Sequence, residues 1–117
     1  MKWLILSLAI LLSTSCKGQT ISADSAANYV GKEITVTGTV SGEYFDHHAK
    51  GEPTFLDIDG SYPDQAFTIV IWKEDRDKFK YLLESIEGKN IAIKGKVTLY
   101  RGKPEMEVTN PGQINKR

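Results

Sequence analysis

The run Asn90 to Thr109, N-I-A-I-K-G-K-V-T-L-Y-R-G-K-P-E-M-E-V-T, constrains the fold more than any other part of the chain. Apolar residues alternate at Ile91, Ile93, Val97 and Leu99 and again at Met106 and Val108, with Arg101-Gly102 as the turn between the two arms. The pattern predicts a β-hairpin. A two-residue loop sets Tyr100 opposite Lys103, Thr98 opposite Glu105, Lys96 opposite Glu107 and Lys94 opposite Thr109, and gathers the apolar set on one face. A lone hairpin is marginal in water, so the preceding chain has to supply the strands that cover this face.

A chain of 117 residues has enough material for one domain and one core. Its 15 basic and 15 acidic residues cancel, which argues against tight non-specific nucleic-acid binding while leaving room for a local site. The single cysteine, Cys16, excludes an internal disulfide and a cysteine-based zinc site.

Met1 to Ser15 has one lysine, then a short apolar run, then small residues, which predicts a secretory signal peptide too short to span a bilayer comfortably. The next residue is Cys16. A small-residue run ending at a cysteine resembles the bacterial lipoprotein signal, in which the thiol is lipidated and the chain is cut just before it. The pattern departs from that signal at Ser13, where leucine is usual, and Leu12 stands one place early. Cleavage by ordinary signal peptidase also fits Ser13-Thr14-Ser15 and would leave a soluble protein with a free thiol. The leftover thiol in an exported chain favours the lipoprotein, whose acyl chains would anchor it in a membrane.

The rest of the chain reads as alternating elements. Lys17 to Thr20 is a tether, and Ser22 to Tyr29 a short helix capped by Ser22 and stopped by Gly31. Lys32 to Tyr44 is a long strand with Ile34, Val36, Gly38 and Val40 on its inner face, Gly38 marking a bulge or sharp coil. After the polar loop Asp46 to Glu52, Thr54 to Asp59 alternates again, with Leu56 and Ile58 inward. Ala66 to Trp72 is apolar on both faces and predicts a central strand. In Lys73 to Glu87 the period changes to that of an amphipathic helix carrying Phe79, Leu82, Leu83 and Ile86, with Gly88 as its stop. Asn110-Pro111-Gly112 closes the hairpin, and Lys116-Arg117 is a frayed basic tail. The expected organisation is a signal peptide at 1–15, a lipidated cysteine and tether at 16–20, one domain at 21–114 and a tail at 115–117.

Five strands with one helix between the third and fourth is the order of the OB-fold, a small all-β Greek-key barrel. Tyr29-Val30-Gly31-Lys32, Phe67 to Trp72, Leu99 to Glu105 and Asn110-Pro111-Gly112-Gln113-Ile114 resemble exported bacterial OB-fold domains grouped with tRNA-anticodon and helicase-type nucleic-acid binders. The resemblance covers Ile21 to Ile114. It implies a nucleic-acid-binding fold more firmly than an activity.

OB-folds bind ligands across the second and third strands, between the loops that follow the first and fourth. Here those regions carry Tyr44, His47, His48, Phe55, Asp57, Val70, Trp72, Tyr100, Arg101 and Lys103. Alternation turns Phe55, Val70 and Trp72 away from the core, where aromatic rings can stack bases or sugars; the competing reading buries one of them beneath Tyr29 or the leading helix. Among the basic residues Lys89, Lys94, Lys96, Arg101 and Lys103, the hairpin register gives Lys94 and Lys96 a partner in Glu107. Arg101 and Lys103 are left for phosphate, joined by Lys50 from the opposite loop.

His47-His48 beside Asp46 and Glu52 lacks a third ligand, since adjacent residues of a strand point opposite ways, and Asp57-Ile58-Asp59-Gly60 lacks the rest of a calcium loop. No metal, cofactor or catalytic nucleophile is expected. The reading is a lipid-anchored binding module at the cell envelope, its membrane contact made through the lipid on Cys16. Its ligand is single-stranded nucleic acid or another oligomeric polyanion, held by Tyr44, Phe55, Trp72 and Tyr100 with Lys50, Arg101 and Lys103. The alternative is an envelope protein-interaction module with no nucleic-acid role, docking a protein partner through the same face or a free strand edge.

Overall fold

The computed structural model describes residues 18–117, so the signal segment and Cys16 lie outside the described residues. In chain order the elements are β1 (Thr20–Ser22), a 3-10 helix (Ala23–Tyr29), β2 (Glu33–Phe45), β3 (Thr54–Ile58), β4 (Phe67–Ile71), α1 (Lys73–Arg76), a 3-10 turn (Leu83–Ile86), β5 (Asn90–Lys96), β6 (Thr98–Tyr100), β7 (Lys103–Glu107), a 3-10 turn (Pro111–Gln113) and β8 (Ile114–Lys116). The strands form one curled sheet in the order β6-β7-β4-β3-β2-β5-β8, with β1 beside β2. Among the described residues eight strands replace the expected five, and their hydrogen-bond ladder curls without closing into a barrel.

β2 is the hinge of this curl. Its first half, Glu33 to Thr39, pairs with β5, and its second half, from Val40 to Phe45, pairs with β3. The register slips between Val40 and Gly42, so the irregularity falls at Ser41 rather than at Gly38. Gly38 serves close packing instead: a Cβ there would strike the Ile58 side chain and come within 3.0 Å of Asp59 Oδ2. Asp59 holds the crossing by accepting from Thr39 N at 2.8 Å.

The alternation read from sequence sets the core. Ile34, Val36, Val40, Leu56, Ile58, Phe67, Ile69, Ile71, Ile91 and Ile93 are buried with Val97, Met106 and Val108. Each such aliphatic or aromatic side chain contributes roughly 1.5–3 kcal/mol relative to exposure.

The predicted hairpin exists only at its tip. Thr98 lies opposite Glu105 and Tyr100 opposite Lys103, and Arg101 (φ 52) and Gly102 (φ 80) supply the two positive φ values that a two-residue turn of this kind needs. Below the tip the arms part. Lys96 pairs with Glu33 and Lys94 with Thr35, both on β2, while Glu107 pairs with Val70 on β4. The physical reason is competition: β5 buries Ile91 and Ile93 against β2, which a continuous hairpin would not do. Leu99, read as inward, is exposed on β6 beyond the point where β5 gives way at Val97.

Lys73 to Glu87 is not one helix. One α turn, Lys73–Arg76, and one 3-10 turn, Leu83–Ile86, bracket a stretch in which Phe79 and Tyr81 both pack on the core, their rings 5.6 Å apart and edge-on. Residues two apart cannot share one helical face, so the aromatic pair breaks the helix and Leu82 is left exposed. Asp75 is buried with Lys78 Nζ at 2.8 Å, and the same Nζ donates to Thr109 O at 3.0 Å.

The leading helix is 3-10 from Ala23 to Tyr29 and buries Ala23 and Ala26; Ser22 bonds the Asp24 carboxylate instead of capping the backbone. Thr20, read as tether, begins β1. The tail is paired as well: Ile114–Lys116 forms β8 on β5, and Arg117 N donates to Asn90 O at 2.9 Å.

Candidate ligand-binding face

Direct partners in a sheet point to the same side, so the registers define the outer face row by row. Tyr44 pairs with Phe55, Phe55 with Val70, and Val70 with Glu107. The neighbouring outer row runs Gly42, Asp57, Thr68, Glu105, Thr98. Trp72 follows Val70 by two residues on the same side. Three of the predicted aromatic residues, Tyr44, Phe55 and Trp72, are thereby brought together. Tyr44 is 58% exposed and Phe55 half-buried, whereas Val70 is buried yet lies outside the core cluster.

Trp72 is fixed from one side by the loop after β2. Gly51 (φ +82) passes so close that a Cβ would lie 2.9 Å from Trp72 Cε3. Lys50 in this loop is exposed, and Lys73 at its base reaches Glu52 at 3.7 Å. The two histidines do not diverge as adjacent strand residues would. They sit in a turn with ring centroids 4.1 Å apart, and Asp46 Oδ1 accepts from His48 N and Ala49 N. No group of three or more His, Cys, Asp or Glu placed to hold a metal occurs among the described residues.

On its other side Trp72 opens onto a groove of about 550 Å³ that fills the gap between β5 and β7. Val70 and Trp72 line it together with Lys94 and Lys96 from β5 and Glu105 and Glu107 from β7; Glu33, Gly95, Thr98, Thr109 and Gln113 complete it. Lys94 and Lys96 are exposed, and the salt bridges between described residues, Lys73 with Glu52 and Lys78 with Asp75, involve neither. Gln113 staples the gap: its Oε1 accepts from Thr109 N at 2.8 Å and Asn110 N at 3.1 Å, and its Nε2 donates to Lys94 O at 2.8 Å. Gly95 makes room for this staple, since a Cβ there would meet Met106 Sδ at 2.8 Å and Gln113 Nε2 at 3.1 Å.

The remaining predicted residues lie elsewhere. Tyr100, Arg101 and Lys103 stand at the β6–β7 corner, where Lys103 Nζ donates to Pro63 O at 2.8 Å and the Arg101 guanidinium sits 5.2 Å from the Tyr100 ring centre. Because β7 runs parallel to β4 with Thr68 opposite Glu105, Lys103 is level with Ala66, six residues before Trp72. At ~3.3 Å per residue the two groups are about 20 Å apart.

Sequence reading missed Arg76, Gln113 and Glu105. On the inner side of the sheet, in the row Phe45, Thr54 and Ile71, Arg76 covers the Phe45 ring at 3.6 Å and donates to Thr54 Oγ1 at 3.0 Å. Gln113 bridges the gap, and Glu105 joins Asp57, already among the candidate residues in sequence, as a carboxylate on the outer row. Burial raises the pKa of Asp57, opposed by a backbone hydrogen bond from Tyr62, and burial followed by the charge of Glu107 raises that of Glu105. Parity along the strands was the available signal for Glu105. Nothing local announces Arg76 or Gln113.

No protein-family model matches the chain, and no curated protein sequence does. Solved structures do resemble it. One is from the crystal structure of yeast Stn1 and Ten1, with a TM-score of 0.60 at 14% identity over 88% of this chain, which spans 64% of that chain. The OB domain of MM0293 from Methanosarcina mazei has a TM-score of 0.53 at 17% identity, covering 75% of this chain and 74% of that domain. A protein described as an aspartyl-tRNA synthetase from Leishmania major Friedlin has a TM-score of 0.52 at 12% identity over 94% of this chain, which matches only 26% of that chain. Identities this low speak to architecture, and the architecture that the chain shares with these structures is the OB-fold.

Proposed function

We propose that this protein is an exported, lipid-anchored OB-fold module of the cell envelope that binds without catalysing, and that its ligand is single-stranded nucleic acid or a similar oligomer. The observation that carries the reading is the outer-face row Tyr44, Phe55 and Val70 continued by Trp72, which lies beside Lys94 and Lys96. Aromatic faces of this kind accept bases regardless of sequence, and the two lysines together with Lys50 are placed for phosphates. The match to a protein described as a tRNA synthetase supports an RNA or DNA ligand by fold analogy. Arg101 and Lys103, at the far corner, have no part in this surface.

A protein-interaction module is the second reading, favoured by a specific feature of the groove. Lys94 and Lys96 on one wall face Glu105 and Glu107 on the other, and Asp57 adds a carboxylate to the same outer face. An extended peptide bearing both charges suits such walls better than a polyanion does.

Fluorescence anisotropy of a labelled oligonucleotide with the detergent-solubilised protein separates the two. Nucleic-acid binding predicts salt-sensitive affinity that Trp72→Ala weakens by roughly 5- to 150-fold, equivalent to about 1–3 kcal/mol of stacking. Absence of binding at low ionic strength would remove the first reading. A membrane pull-down whose profile is unchanged by Trp72→Ala would remove the second.

A further inference from the structure

The start of the described chain is pinned to one end of the sheet. Gln19 O accepts from Thr35 N at 2.8 Å, and Gln19 Nε2 donates to Tyr29 Oη at 3.1 Å. β1 runs parallel to β2 with Thr20 opposite Thr35, so Gly18 is level with Glu33, at the beginning of β2. Cys16 precedes Gly18 by two residues, a reach of about 7 Å even when fully extended. A lipid on that cysteine therefore brings this end of the domain to the bilayer surface.

The same end exposes apolar side chains. Tyr29 to Lys32 forms a turn closed by Lys32 N to Tyr29 O at 3.0 Å, with Val30 at its tip (φ −57, ψ 132) and Gly31 at φ +89, the left-handed position that such a turn requires. Gly31 N donates to Val97 O and Val97 N to Lys32 O, which sets the turn beside the start of β6. Leu99 and Tyr100 follow on β6, and Lys103 ties their corner to Pro63, next to Tyr62. Of the six large apolar residues exposed among the described residues, four belong here: Val30, Tyr62, Leu99 and Tyr100. Lys32, Arg101 and Lys103 are exposed around them, against the carboxylate of Asp64, while Lys96 and Glu33 mark the border with the groove beside Trp72.

We propose that this end is a membrane-docking surface, resting on an anionic bilayer with Val30, Leu99 and Tyr100 at headgroup depth and Lys32 and Arg101 against lipid phosphates. The proposal rests on the lipid-anchor reading of Cys16. Tyrosine favours the membrane interface, and basic side chains close to an anionic leaflet add attraction that a single short tether does not supply. In this pose the β6–β7 corner meets the lipid and Trp72 lies about 20 Å from that corner along β4.

The test uses the full chain with its own anchor, reconstituted into vesicles of phosphatidylethanolamine and phosphatidylglycerol that carry a quencher among the acyl chains. With Cys16 blocked by lipid, a thiol-reactive dye marks Leu99→Cys or, as the opposite end, Tyr44→Cys. Docking predicts several-fold stronger quenching at position 99 than at 44, and a marked loss of that difference when Lys32→Glu and Arg101→Glu are added. Equal quenching at the two positions in protein whose Cys16 peptide has the mass of a lipidated cysteine would overturn docking alone. A Cys16 peptide without lipid would overturn the anchor and docking together.

Discussion

The two halves of the Asn90 to Thr109 run obey different rules. At the β6–β7 corner, pairing follows from the chain's own local pattern, and Thr98 meets Glu105 and Tyr100 meets Lys103 as alternation and turn type dictate. Four residues away the same alternation misleads, because β5 and β7 each pair with a distant strand and leave a groove stapled by Gln113. Short-range hydrogen bonding sets the register near a turn, while the demand to bury Ile91, Ile93 and Met106 sets partners farther from it. The open groove beside Trp72 is the product of that competition.

The sharpest challenge to this contrast is a pair of truncations. Met106 is fully buried in the core on β7 and Leu99 is 53% exposed at the corner, although both read as inward-facing in sequence. Met106→Ala should cost about 2–5 kcal/mol in urea unfolding, whereas Leu99→Ala should stay within about 0.5 kcal/mol. Equal costs would mean that the corner is packed as a continuous hairpin after all.

A smaller effect is expected at the staple. Gln113→Ala removes acceptor and donor from Thr109 N, Asn110 N and Lys94 O, groups that water can partly reach, so a loss of about 1 kcal/mol is expected. Faster amide exchange should appear at Thr109 and Asn110 while Thr98 to Lys103 keeps its protection. Uniform loosening of both halves would show that the seam and the corner form one unit.

The smallest effect is electrostatic and sits where the halves meet. Glu105 pairs with Thr98 in the corner ladder and also lines the groove, and burial together with Glu107 raises its pKa. A carboxyl whose folded pKa exceeds its unfolded value of 4.5 binds its proton more tightly when folded, so its contribution to stability falls as pH rises through that window. Glu105→Gln should therefore stabilise the protein slightly at neutral pH and give no gain well below pH 4.5, read from denaturation midpoints at the two pH values. A constant difference across pH would assign the effect to packing instead.

Much of the fold was legible. Period-two patterning located the strands at Ile34 to Val40, Leu56 to Ile58 and Phe67 to Ile71, and it placed Tyr44, Phe55 and Trp72 on one outer surface. Helical spacing over Lys73 to Glu87 failed because Phe79 and Tyr81 are both drawn to the core. The candidate site was half legible: its aromatic row follows from alternation, but the corner cations proved remote, and Lys94 and Lys96 moved from presumed ion pairs to a groove wall. The three-residue strands β1 and β8 carry almost no pattern of their own, and they exist because β2 and β5 offer edges for them.

By itself the sequence determined which side chains turn inward along each long strand and where the chain reverses, since backbone geometry and the burial of apolar surface act within a few residues. Tertiary structure alone decided which strand lies beside which, and with it the separation of Trp72 from Arg101 and the opening between β5 and β7. Those outcomes depend on contacts between residues far apart in the chain, where burial in one shared core outweighs the local preference for a continuous hairpin.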